Sequence, residues 1–165
     1  MLFRSEKTIH FQQDLVQILE TNIDDVSGEV LGYMIDKIMS SGAKDISISP
    51  AITKKGRPTH LVSIICDSES VNSVLDTLVS ETGTLGVRIR ASSRYVVPRV
   101  MVTVPVMIHG KNFAIKCKVV KSGDIVKNFK IESSDVKLVA DSLSLSFKDA
   151  NDIIRSHVNQ KIGAK

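Results

Sequence analysis

DISISPAITKKGRPTHLVSIIC, residues 45–66, decides the fold. In its first part, Asp45–Ile52, Ile46 and Ile48 alternate with serines, which predicts a strand with one buried face. Its last part, His60–Cys66, is almost continuously apolar, which predicts a strand in the middle of a sheet. Between them lies Thr53-Lys54-Lys55-Gly56-Arg57-Pro58, whose Gly56 and Pro58 are turn residues, so the two strands form a hairpin. A turn needs no cations, yet Lys54, Lys55 and Arg57 crowd this one. A polyphosphate would relieve their repulsion. The plainer reading is a solvated basic turn.

Upstream, Val16–Thr21 reads as a first strand and Asn22–Asp25 as a polar turn. Ser27 suits a helix N-cap, and Glu29 suits the positive end of the helix dipole. Val30, Leu31, Met34, Ile35, Ile38 and Met39 recur at helical spacing, and Gly42 ends the helix. Downstream, Ser68 or Ser70 caps a second helix with Val71, Val74, Leu75, Leu78 and Val79 on its apolar face. Gly83 and Gly86 break it, and Val87, Ile89 and Ala91 begin a fourth strand. The order β-α-β-β-α-β is the split βαβ of ferredoxin-like folds.

After that the pattern changes. Tyr95–His109, Asn112–Val120 and Asp124–Ile131 are strand-like, with a tight turn at His109-Gly110-Lys111-Asn112. Ser133 or Ser134 caps a helix over Asp135–Ser142, and Ser146 caps one over Phe147–Gln160. The expected architecture is α+β: a ferredoxin-like β-α-β-β-α-β sandwich at 15–95, then a small β-meander and two C-terminal helices at 96–165. Residues 1–14 lack periodicity and read as a linker.

The 165 residues are 42% hydrophobic and 24% charged, enough apolar content for a core. No apolar run reaches the roughly 18 residues that span a membrane, and Met1–Phe11 lacks a signal-peptide apolar region, so a cytoplasmic location is expected. Cys66 and Cys117 each sit in an apolar strand-like run with no C-x-x-C pairing, which predicts buried free thiols. His10, His60, His109 and His157 show no metal-ligand spacing. Residues 1–95 carry 10 Lys and Arg against 12 Asp and Glu, whereas residues 96–165 carry 12 against 6. That basic second part would suit a polyanion, but with aromatics at 4% and no Trp, base stacking is poorly supplied.

Three constellations carry chemistry. Thr21-Asn22-Ile23-Asp24-Asp25 with Glu29 offers hard oxygen ligands at a strand-to-helix turn, a pattern that suits Mg²⁺ or Mn²⁺ alongside phosphate; ordinary helix capping is the alternative. In the basic tip, Arg57 can grip phosphate bidentately while Lys54 and Lys55 act as point charges. Glu81-Thr82-Gly83-Thr84-Leu85-Gly86-Val87-Arg88 combines hydroxyls, glycines and an arginine into a candidate anion nest, or is simply a helix-to-strand connection capped by Gly83. Arg88, Arg90 and Arg94 share one strand face by their even spacing. No Ser-His-Asp or Cys-His set is present, so the chemistry is the handling of anions and metals.

Glu20-Thr21-Asn22-Ile23-Asp24-Asp25, Gly32, Gly42-Ala43-Lys44-Asp45, Lys54-Lys55-Gly56-Arg57-Pro58 and Thr84-Leu85-Gly86-Val87-Arg88 occur in an order and spacing that resembles the C-terminal half of the nickel-insertion protein of lactate racemase cofactor synthesis. The likeness runs from about Val16 to Val158 and includes Arg94, Arg99 and Ser134-Asp135-Val136-Lys137. It implies a CTP-dependent cyclometallase, which inserts Ni²⁺ into pyridinium-3,5-bisthiocarboxylic acid mononucleotide with Mn²⁺ or Mg²⁺. The C-terminal half would bind CTP and the divalent ion. The resemblance implies that Asp24, Asp25 and Glu29 contact that ion. It implies that Lys54, Lys55, Gly56, Arg57, Thr84, Arg88 and Arg94 hold the nucleotide.

Gly83 stands where the family usually has a third threonine, and the family's N-terminal half, with its histidine-rich nickel site, has no counterpart here. A partner supplying that half is implied, and a homo-oligomer is expected from exposed sheet edges. Two other functions fit the residues. One is a regulatory module that senses a nucleotide or other small anion without chemistry. The other is a nucleic-acid-binding module using the basic second part.

Overall fold

The computed structural model describes residues 11–163. Residues 1–10, most of the expected linker, lie outside the described residues. The chain divides into two compact units, Gln13–Tyr95 and a second drawn from Val96 onward.

In the first unit the elements run β1 (Gln12–Ile23), α1 (Gly28–Ser40), β2 (Ala43–Thr53), β3 (Arg57–Cys66), α2 (Val71–Thr82) and β4 (Arg88–Val96). The sheet order is β2-β3-β1-β4. β3 is antiparallel to both β1 and β2, so the split βαβ topology is present and the apolar His60–Cys66 run is central, as its composition predicts. The core joins Leu19 and Ile23 of β1, Val62 and Ile64 of β3, and the inward faces of the helices, Leu31, Met34, Ile38, Val74 and Leu78. Both helices therefore cover the same face of the sheet. Ser27 caps α1 by accepting from the Val30 amide, and Gly83 ends α2 in the left-handed conformation that glycine tolerates.

β1 starts at Gln12, earlier than the apolar residues suggest. Polar residues hide that beginning, and a cross-strand ion pair of Asp14 with Arg94 ties it to β4. Pro50 lies in β2, an edge strand, the place in a sheet where a residue without an N–H is tolerated.

The second unit is a meander of β5 (Val100–Ile108), β6 (Lys111–Ser122) and β7 (Ile125–Ile131), then α3 (Ser133–Leu143) and α4 (Phe147–Ile162). β6 lies between β5 and β7, antiparallel to both. Alternate residues Val104, Val106, Ile108, Ile115, Cys117 and Val119 point inward and pack with Val136, Val139, Ala150, Ile154 and Val158 of the helices. His109 and Gly110 both take positive φ between the paired Ile108 and Lys111, the two-residue turn whose twist suits a hairpin.

Two details differ from the sequence reading. Tyr95–His109 is not one strand: it breaks at 97–99, where Pro98 cannot donate to a ladder. The N-cap of α3 is Glu132 rather than Ser133 or Ser134, and the nearby carboxylate of Asp135 accepts the Lys116 amide of β6 at 2.7 Å.

Both cysteines are free and fully buried, and burial pushes both thiols up from their ordinary values. No helix among the described residues is long and apolar enough to cross a membrane.

Candidate functional site

In the first unit the C-terminal ends of β1 and β2 and the N-terminal ends of β3 and β4 meet at one end of the sheet. The register shows this directly: Ile23 of β1 faces His60 of β3, and Thr53 of β2 faces Arg57. A pocket of about 330 Å³ opens there between the strand-to-helix turn after β1 and the loop before β4. Asn22, Asp24 and Asp25 line it together with Gly83, Thr84, Leu85, Gly86 and Arg88.

Hydroxyl groups set this geometry. Thr21 lies on the buried face of β1 with 1% of its surface exposed. Its hydroxyl donates to the Gly86 carbonyl at 2.8 Å. That uses its single proton, so in the 2.7 Å contact between Thr21 Oγ1 and Thr84 Oγ1 the Thr84 hydroxyl is the donor. Two hydrogen bonds thus tie the loop to the strand. The Thr84 amide donates to Thr82 Oγ1 at 3.3 Å, which ties the loop to the end of α2. Across the sheet, buried Thr59 donates to the Ile23 carbonyl at 2.9 Å and holds the exit of β1. Of these threonines, only Thr59 escapes the sequence reading, because it sits at the start of an apolar strand-like run. Its one sequence signal is a hydroxyl beside a buried run.

Three arginines stand along β4, and β1 answers them in reverse order, as antiparallel neighbours do. Arg94 meets Asp14 in a two-pronged pair at 2.7 and 2.8 Å. Arg90 meets Glu20 likewise, at 2.7 and 3.1 Å. Arg88 meets Asn22, whose Oδ1 accepts Nη2 at 2.9 Å. The guanidinium hydrogen bonds hold the carboxyls of Asp14 and Glu20 below their ordinary values and push Arg94 and Arg90 up. The even spacing of the arginines therefore has a structural explanation at Arg90 and Arg94, and Arg88 alone of the three borders the pocket. The Asn22 carbonyl, expected as an extra metal ligand, is engaged by Arg88.

The basic tip continues past the pocket. Lys55 takes φ 63 and Gly56 φ 68, so the chain turns through two successive left-handed residues. Arg57 reaches back to Asp24, with Nη1 and Oδ2 3.9 Å apart. Lys54 and Lys55 make no ion pair among the described residues. The structure thus gathers Asp24, Asp25, Thr84 and Arg88 in the pocket and brings Arg57 to its acidic rim. Lys54, Lys55, Gly56, Glu29 and Arg94 are not among the residues that line it. Glu29 sits in the first turn of α1. No group of three or more His, Cys, Asp or Glu among the described residues comes together as a metal site, so a divalent ion here would find two protein carboxylates at most.

The first unit is thus a ferredoxin-like α+β sandwich with a hydroxyl-pinned, arginine-bordered pocket at its strand ends. Comparison places it more closely: residues 1–151 match the nickel insertion protein family, and the chain belongs to that family. A curated relative from Methanosarcina acetivorans is 34% identical over 146 residues, 87% of this chain and 37% of that protein. The pyridinium-3,5-bisthiocarboxylic acid mononucleotide nickel insertion protein of Acetivibrio thermocellus is 34% identical over 145 residues, 88% of this chain and 34% of that protein. The chain thus spans about a third of the length of these curated relatives. Among solved structures, LarC2 is the apo C-terminal domain of a cyclometallase involved in synthesis of the NPN cofactor of lactate racemase. It superimposes with a TM-score of 0.77 at 26% identity, over 90% of this chain and 99% of that one. A Methanopyrus kandleri protein shares the fold at a TM-score of 0.64 and 21% identity, over 90% of both chains.

Proposed function

We propose that this chain is the CTP- and divalent-metal-binding part of a nickel-insertion protein. Its longer counterpart would metallate pyridinium-3,5-bisthiocarboxylic acid mononucleotide with Ni²⁺ to form the nickel-pincer cofactor. Family membership and the likeness to the cyclometallase C-terminal domain support the class of activity. The observation that carries the local reading is the pocket itself, whose lining includes Arg88 together with Asp24 and Asp25. A metal–polyphosphate needs both signs of charge within one small volume.

The donors fit Mg²⁺ or Mn²⁺. Such ions commonly take one or two carboxylates and fill their remaining positions with phosphate oxygens and water. Such an ion would supply positive charge to offset that of the phosphates. Asp24 and Asp25 would hold it, and Arg88 with the Thr84–Gly86 loop would orient the phosphates. Lys54, Lys55 and Arg57 would neutralise the outer part of the triphosphate from the tip. Binding would then break the long Arg57–Asp24 pair and free the Asp24 carboxylate for the ion. An N-terminal half, from the same protein or a separate subunit, would bring the nickel and the pyridinium mononucleotide.

Calorimetric titration tests this with CTP and with ATP, each in Mn²⁺ and in EDTA. Metal-dependent binding of CTP that ATP does not match is the expected result. Binding that ignores the metal, or no binding of either nucleotide, would overturn it.

A further inference from the structure

Resting on that reading of the pocket, we propose that Asn22 is the residue that selects for an anion, by anchoring Arg88 without neutralising it. β1 presents a polar side chain to each arginine of β4, and two of the three are carboxylates, Asp14 and Glu20. At the pocket the third is a neutral amide. The contact orients the guanidinium through one hydrogen bond of 2.9 Å. It leaves the positive charge intact and the other N–H donors of Arg88 available to a ligand. No ion pair is made by Arg88 among the described residues.

A carboxylate at position 22 would close a third rung of the ladder and place an internal anion where a phosphate is to bind. Asn and Asp are nearly the same size and both accept a hydrogen bond, so shape does not account for the amide. Charge does. Asn22 is a positioning residue, and the chemistry it selects is a phosphate or polyphosphate oxyanion at Arg88.

The prediction is an order of effects that a structural role would reverse. Asn22→Asp retains the acceptor and adds an ion pair, so thermal stability holds or rises. Its affinity for inorganic tripolyphosphate and for CTP with Mn²⁺ falls by about tenfold or more, the usual size of a charge-assisted contact. Asn22→Ala removes the anchor but leaves the charge, and loses less affinity than Asn22→Asp while losing more stability. In an Arg88→Gln background the added cost of Asn22→Asp shrinks, because its target is gone.

If the wild-type protein binds these ligands and Asn22→Asp binds them equally well, the inference is wrong while the reading of the pocket stands. It is equally wrong if Ala weakens binding more than Asp, or if the cost of Asp is unchanged without Arg88. If the wild-type protein binds neither tripolyphosphate nor CTP, the reading of the pocket and the inference fall together.

Discussion

Arg94 and Arg88 stand near opposite ends of one strand, face the same neighbour, and live in different electrostatic worlds. Arg94 is gripped by both oxygens of Asp14, so its charge is spent inside the sheet. Arg88 is held by an amide and keeps its charge at the mouth of a pocket. Arg90 repeats the first arrangement with Glu20. Identical residue types at even spacing thus divide into two that meet carboxylates and one that meets an amide beside a pocket, and the neighbouring strand decides which. A cation in an amphipathic pattern is informative about function only once its partner is known.

The largest effect expected from this contrast is on binding. Arg88→Gln should weaken metal-dependent nucleotide binding by about a hundredfold, the upper range for a charge-assisted contact to phosphate. Arg90→Gln should leave it within about threefold, because Arg90 is already satisfied by Glu20. Titration calorimetry on both variants makes the comparison, and similar losses in the two would erase it.

The loop comes next. Thr21→Val removes the donor to Gly86 and the acceptor for Thr84 in one step. It should cost about 1–3 kcal/mol of stability, the range for leaving buried polar partners unmatched. Urea denaturation would show this as a lower midpoint at unchanged slope. Thr21→Ser, which keeps the hydroxyl, should recover most of the loss.

Acid distinguishes the two kinds of rung. Asp14 and Glu20 have depressed values in the folded protein. The stability they contribute is therefore present above their unfolded values, about pH 4, and is lost as pH falls through the folded ones. The stability gap between wild type and Arg94→Gln should be constant from neutral pH down to about pH 5 and close below that as Asp14 protonates. The gap for Arg88→Gln should show no such closure from its Asn22 contact, since an amide does not titrate. Chemical denaturation at a series of pH values reads both.

The smallest effect lies at the basic tip. Lys55 takes a left-handed backbone conformation that costs a side chain about 1 kcal/mol. Lys55→Gly should recover roughly that amount, a rise of a few degrees in Tm. It should also weaken triphosphate binding by about threefold through loss of one outer charge. Thermal melts with and without ligand separate the two consequences.

Much of the fold was legible in the residues. The alternation of Ile46 and Ile48, the apolar run of β3, the Ser27 and Ser146 caps and the glycines at turns are local signals, and each acts where it is written. The order β-α-β-β-α-β then leaves few topologies. The break at Pro98 and the polar start of β1 were hidden because strand pairing, rather than composition, settles them. Of the site, Asp24, Asp25, Thr84 and Arg88 could be marked from charge and glycine spacing, and the pocket contains all four. What could not be read was which partner each group finds across the sheet. Thr21 looked like the end of a strand, Asn22 like a metal ligand, and Arg94 like a companion of Arg88. Only the register of β1 against β4 assigns Thr21 to the loop, Asn22 to Arg88 and Asp14 to Arg94.

The most direct test of the contrast between the two ends of β4 is a crystal structure grown with CTP and Mn²⁺, with the manganese located by its anomalous scattering. The predicted result is Mn²⁺ coordinated by Asp24 or Asp25, with a phosphate oxygen on Arg88 and the Arg94–Asp14 pair unchanged. A nucleotide bound elsewhere, or one that displaces Asp14 to reach Arg94 while leaving Arg88 on Asn22 alone, would contradict it.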